Sequence, residues 1–246
     1  MVDVHCHVLP GFAGGPADLE TALQLVLNAE RHGVLAMVAT PHFIDADYRA
    51  QAHEAQAACA ALIGRLRVRG SLIDIQVAAE CRIGQRLARA VVMNQVPVLG
   101  HHEGARVLMT QLPETRIPKN IVSVIEWMAT QKVRPLISCP ELHREVLRDA
   151  AVLAPLVAAG ALLEINAGAL AGRHGPYAQR RSRELLERGW VAVMSSNAQA
   201  GDAAGALLEV GREAAAAIVG EQAAWDLVWR HPARMAVPHL LGRGQA

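Results

Sequence analysis

The chain has 246 residues, 52% of them hydrophobic and only 3% aromatic, with a formal net charge of +1. That length and apolar share suffice for one sizeable core built mainly from Ala, Leu and Val. The near-neutral balance, with scattered basic residues, argues against a nucleic-acid partner, and the apolar runs are too short or interrupted for membrane insertion.

The opening Val2-Asp3-Val4-His5-Cys6-His7 reads as a strand. Side chains alternate across a strand, so His5 and His7 share one face and Cys6 takes the other. Two imidazoles side by side at a strand end begin a divalent-metal site, with plain structural hydrogen bonding as the ordinary alternative. Leu19, Ala22, Leu23, Val26 and Leu27 then follow one helix face, and Gly33 is placed to end that helix. Strands are expected at 34–40, 73–79, 106–112, 134–138, 161–165 and 190–195. Helices are expected at about 46–69, 118–131, 142–159, 176–188 and 203–218, with two more helical segments broken by Pro232 and Pro238.

Strand–helix alternation with nearly continuous apolar strands implies a parallel sheet covered by helices. Seven strands suggest an α/β fold of the distorted (β/α)7, TIM-like barrel type. An open doubly wound sheet is the alternative, but no GxGxxG follows the first strand. Without a linker or repeat, residues 1–246 are expected to form a single domain, with 1–240 as core and 241–246 as tail.

Polar residues fall at the strand ends: His42, Glu80, Gln111, Cys139, Asn166 and Ser196. In a parallel barrel those ends share one face, where active sites are built, so these residues should converge with His5 and His7. Glu80 follows an apolar strand and needs a cation, for which a salt bridge to Arg82 is one candidate. Asp45, Asp47 and His174 lie in loops, where solvated surface residues are the simpler reading. Asn166, with Gly168 and Gly172, is expected to shape a tight strand-to-helix turn. The four cysteines form no CxxC pair, which with the lack of a leader-like N-terminus points to a reducing, cytoplasmic setting. Cys139 reads as a small buried hydrophobe. The CX5R loop of thiol phosphatases is absent, because Glu145 stands where its arginine would be.

The segment DVHCHVLPGFAGGPADLETAL, the VATPH that ends at His42, and INAGALAGRHG at 165–175 together carry a family resemblance over essentially the whole chain. They resemble PHP-type protein-tyrosine phosphatases of the CpsB/YwqE kind, which serve capsular and exopolysaccharide biosynthesis. The resemblance implies a PHP-type barrel and a trinuclear, usually manganese, centre. It also implies hydrolysis of phosphotyrosine protein, with a bacterial tyrosine kinase as partner and self-association into a homo-oligomer left open. His5, His7, His42 and Glu80 match family metal ligands.

Five other positions depart from the pattern: Gly14 for an aspartate, Gln111 for a glutamate, Cys139 for a histidine, Ser196 for an aspartate and Ala198 for a histidine. The arginine of the family's HPER motif is Leu142, and a later arginine is missing. Three clustered divalent cations need several carboxylates to offset their repulsion. The expectation is therefore a degenerate member with weak or lost activity, or a pseudophosphatase that binds without turnover. A third reading is a single-zinc hydrolase holding its ion on His5, His7 and Glu80, with Cys139 as a further ligand.

Overall fold

A computed structural model describes residues 1–43, 47–202 and 204–245. Ten strands are present among them: β1 (Val2–Cys6), β2 (Ala36–Ala39), β3 (His42–Phe43), β4 (Asp74–Val77), β5 (Glu80–Arg82), β6 (Gly100–His102), β7 (Ala105–Gln111), β8 (Val133–Ser138), β9 (Leu162–Asn166) and β10 (Val191–Ser195). All pair in parallel except β6, which forms a short antiparallel ribbon with β7.

The expected strands at 34–40 and 73–79 are found as β2 and β4, and each is followed in its row by a short further strand, β3 and β5, that was not expected. Pro41 has no N–H to give to a ladder, so its row breaks into β2 and β3, and the neighbouring row breaks at Ala78–Ala79 into β4 and β5. With these halves joined, the rows run β1, β2/β3, β4/β5, β7, β8, β9, β10, the order of a seven-rowed barrel. Where β10 comes round to β1, the contact is a bridge from Cys6 to Ala198 flanked by hydrogen bonds from Asn197 N to His5 O and from His7 N to Ala198 O, both 2.8 Å. The fold is thus the expected α/β type, in a distorted, loosely joined barrel.

The interior has two layers. Val2, Val4, Ala36, Val38, Val107, Met109, Leu136, Leu162 and Val193 form an apolar floor, plugged by Ala233, Met235 and Ala236 of the helix His231–Ala236. Continuing toward the carboxyl ends, the same inward-facing positions become Glu80, Ser138 and Glu164. The outward side chains, among them Met37, Leu108, Ile137 and Leu163, pack under the helices as the main core.

Strand β1 carries a bulge. Asp3 pairs with Met37 and Cys6 with Ala39, so three steps of β1 match two of β2. Val2 and Val4 therefore join the barrel floor, whereas Cys6 joins the outer core. The extra residue swings His5 and His7 onto the interior face, a re-aiming that bulges commonly perform beside functional sites.

The helices Leu19–Arg31, Tyr48–Val68, Ile121–Thr130, Gly175–Glu187 and Ala204–Val219 lie close to expectation. The expected helix at 142–159 does not form as one piece. It is the short helices Arg144–Arg148 and Ala154–Ala158 separated by a 3-10 turn, with Asp149 extended and its side chain accepting from Ala151 N at 2.9 Å. The helices Gln85–Val92 and Ala167–Leu170 were not anticipated. Gly211 lets Ala204–Val219 lie directly on the INAGAL turn: a Cβ there would stand 2.5 Å from Ala167 Cβ.

Candidate metal centre

The inward strand ends bring His5, His7, His42 and Glu80 together, as their sequence positions predict. Glu80 Oε2 is the meeting point, 2.9 Å from His42 Nδ1, 3.4 Å from His5 Nε2 and 3.7 Å from His7 Nε2. The other carboxylate oxygen accepts from Ser138 Oγ at 2.5 Å, which fixes the rotation of the group. Glu80 is not paired with Arg82, which lines the mouth of the same cleft and pairs with Glu114. Strand register explains why: His42 and Glu80 are direct partners across β3 and β5, while Arg82 lies beyond the end of the inward layer.

Two further carboxyl groups, unremarked in the sequence, lie beneath this set. Glu164 of β9 is fully buried and lies 3.2 Å from His5 Nδ1. His5 is thus held between Glu80 at one ring nitrogen and Glu164 at the other. Burial favours its neutral form, but the two carboxylates outweigh that and hold its pKa well above the ordinary imidazole range. His7 goes the other way: burial and the charge of His5 push it down to about 3. For Glu80, burial raises the pKa, but the imidazoles of His5 and His42 more than reverse it and keep the carboxyl well below its usual range. Glu141 is pushed up to about 8 by burial and by Glu164, so it is protonated at neutral pH, and its Oε1 accepts from Asn166 N at 2.7 Å.

An imidazole held between two buried carboxylates, one of which also meets two more imidazoles, is a donor arrangement suited to a divalent ion. His5 Nε2 and His7 Nδ1 are buried and make no hydrogen bond. Unsatisfied buried donors and acceptors of this kind are costly unless something else completes them. Among the described residues, two donor groups are compact enough to hold an ion: His5, His7 and Glu80, and on the other side of the His5 ring His5, Cys139 and Glu164.

The departures from the family pattern are built into the fold. Gly14 has φ +80°, and a Cβ there would press on the His7 ring at 3.3 Å, so an aspartate would be strained. Ser196 donates from Oγ to Asp3 Oδ2 at 2.5 Å and from its backbone N–H to Oδ1 at 3.1 Å. It thus satisfies a buried carboxyl that desolvation lifts to about 6. Ala198 is fully buried and contributes its backbone to the β1 seam. Gln111 lines the mouth beside His42 and Glu80. With Glu80 as the only carboxylate of the matched set, the residues fit one divalent ion and do not fit a trinuclear centre.

Cys139 is only half-buried, contrary to the buried-hydrophobe expectation, and its backbone is left-handed at φ +43°. It lines a cleft of about 360 Å³ with His5, Glu80, Gln111, Arg144 and Asn197. Burial of the sulfur and the charge of Glu164 push its thiol well above the usual range, so the metal-free thiol is neutral and a poor nucleophile. The other candidates have local roles. Asp47 caps the helix Tyr48–Val68 through bonds from Arg49 N and Ala50 N, and Asn166 caps Ala167–Leu170. His174 lines a separate cleft with Asn166, Ser196 and Asn197. Asp45 lies outside the described residues.

The family model for capsular polysaccharide synthesis, CpsB/CapC, matches residues 1–236. This chain belongs to the CpsB/CapC family. It is 25% identical over 198 residues to the tyrosine-protein phosphatase YwqE of Bacillus subtilis (strain 168), covering 80% of this chain and 77% of that protein. It is 23% identical over 198 residues to CapC of Staphylococcus aureus, a candidate tyrosine-protein phosphatase, covering 80% and 76%. Among solved structures it is similar to the metal-dependent tyrosine phosphatases YwqE of Bacillus subtilis and CpsB of Streptococcus pneumoniae. That match has a TM-score of 0.83 and 23% identity, and covers 100% of this chain and 96% of the other. The lactonase Lmo2620 of Listeria monocytogenes shares the fold more distantly, with a TM-score of 0.55 and 11% identity. None of the described helices is long and apolar enough to cross a membrane.

Proposed function

We propose that this CpsB/CapC member acts on phosphotyrosine protein, a bacterial tyrosine kinase of capsule or exopolysaccharide synthesis, as a weak phosphatase with a reduced metal centre. The observation that carries this reading is the convergence of three imidazoles on the single buried carboxylate oxygen Glu80 Oε2. His5 and His7, through Nε2, and Glu80 would hold one divalent ion, manganese by family expectation, with His42 at the open side of the set. Such an ion supplies Lewis-acid stabilisation of phosphoryl charge and an activated water.

The chain's own residues supply orientation and access. Glu164 accepts from His5 Nδ1 and so points Nε2 at Glu80, the carboxylate–histidine arrangement that fixes a ligand's tautomer. Ser138 holds the Glu80 carboxylate in place, and Asn197 and Gln111 both line the cleft. His42, about a quarter exposed, lies where a phosphoryl group would enter. Residues 1–240 as one domain with a tail at 241–246, and a cytoplasmic setting, belong to the same reading.

Hydrolysis of a phosphotyrosine peptide by the purified chain with added manganese tests this, with His7→Ala as control. Turnover that disappears in the variant is the expected result. Turnover equal in both, or absent from both, overturns the catalytic reading. Absence with retained peptide binding would favour the pseudophosphatase, the alternative supported by the built-in replacements at Gly14, Ser196 and Ala198.

A further inference from the structure

The second donor group, on the far side of the His5 ring, has a chemistry that the family's oxygen- and nitrogen-based centre lacks. His5 Nδ1, Cys139 Sγ and Glu164 Oε2 form a triangle with sides of 3.2 Å (Nδ1 to Oε2), 3.6 Å (Sγ to Oε2) and 4.0 Å (Sγ to Nδ1). Zinc bonds of about 2.3 Å to sulfur and 2.0–2.1 Å to nitrogen or oxygen, in tetrahedral array, place such atoms about 3.3–3.6 Å apart. The triangle closes around an ion with shifts of a few tenths of an ångström.

Three observations besides the cysteine point the same way. Glu164 is fully buried, and its Oε1 has no hydrogen-bond partner. Asn197 Nδ2 donates toward Cys139 Sγ at 3.4 Å, a contact that favours sulfur as a thiolate. His5 and Cys139 both line the cleft, so a water or a substrate oxygen could approach an ion held there.

We propose that His5 Nδ1, Cys139 Sγ and Glu164 Oε2 form a zinc site, distinct from the His5–His7–Glu80 set and selective against manganese because one donor is a thiolate. Soft sulfur prefers zinc and comparable late metals, whereas manganese prefers carboxylate and water. Zinc takes His5 through Nδ1, which leaves Nε2 protonated and facing Glu80 at 3.4 Å. The two donor groups therefore compete for one imidazole. The site shares His5 with the phosphatase reading but needs no turnover, so the two are tested separately.

Cobalt(II) is the probe, because a cobalt–thiolate bond gives an intense near-ultraviolet charge-transfer band that nitrogen and oxygen ligands do not. The expected result is a band that saturates at one cobalt per chain and is bleached by one equivalent of zinc. Cys139→Ser should abolish it and weaken zinc binding at least about tenfold. His7→Ala and Cys59→Ala should both retain it, and circular dichroism confirms the fold of each variant. If Cys139→Ser fails to fold, Cys139→Ala and Glu164→Gln carry the same test. No band in the parent chain, a band that survives Cys139 replacement, or a band lost in His7→Ala would overturn the proposal. A null phosphotyrosine assay with the band intact would remove only the phosphatase reading.

Discussion

Replacing Glu80 by glutamine keeps the volume of the side chain but removes the charge on which three imidazoles converge. At 3.4 Å, the gross attraction between Glu80 Oε2 and a protonated His5 Nε2 is about 5 kcal/mol at an effective dielectric of about 20. Most of that is offset by the desolvation of both groups, and His5 keeps Glu164 as its other partner. The metal-free Glu80→Gln protein should therefore lose only about 1–3 kcal/mol, the usual cost of leaving buried polar groups imperfectly paired.

The response to metal should change far more. A saturating ion at about a hundred times its dissociation constant stabilises the parent chain by about 2.7 kcal/mol. For 246 residues that is a rise in Tm of about 5–10 °C. Differential scanning fluorimetry with manganese and with zinc, with and without chelator, reads both quantities. The manganese shift should vanish in Glu80→Gln, whereas the zinc shift, carried by Cys139 and Glu164, should largely remain. A manganese shift of equal size in parent and variant would refute the assignment of Glu80 as the central carboxylate.

Two other substitutions test how the altered positions are built in. Ser196→Ala leaves Asp3 Oδ2 buried without its hydroxyl partner and should destabilise the chain by about 1–3 kcal/mol in urea unfolding; an unchanged midpoint would contradict that role. Gly211→Ala drives a methyl to 2.5 Å from Ala167 Cβ and should cost about 1–3 kcal/mol by the same measurement. A stabilised variant would mean that the Ala204–Val219 helix does not rest on the INAGAL turn as described.

The part of the site that follows from strand geometry was legible in advance. His5 and His7 needed only the two-residue alternation of β1, whereas His42 and Glu80 stood at strand ends but needed the family resemblance to be singled out as ligands. Glu164 was hidden because it sits at an inward position of LLEIN, where an apolar run reads as core and a single glutamate within it carries no periodic signal. Asp3 was hidden for the same reason, and Glu141 by its place in a 3-10 turn. The β1 bulge leaves no mark in composition, although it decides which way the histidines face. In the fold, the continuation past Pro41 into β3 was not foreseen, and Gly100-His101-His102 gave no sign of pairing as β6. The broken segment at 142–159 retained apolar residues at helical intervals, while Asp149 and Pro155 redirected the backbone.

Gly14 has a consequence for redesign. With the backbone at φ +80° against the His7 ring, an aspartate introduced there would meet strain before it could serve as a ligand. The serine at 196 closes a second route, because an aspartate placed there would stand against Asp3, the carboxyl it now satisfies. Rebuilding carboxylates at these positions would therefore need changes in the surrounding backbone and at Asp3, not two point substitutions alone.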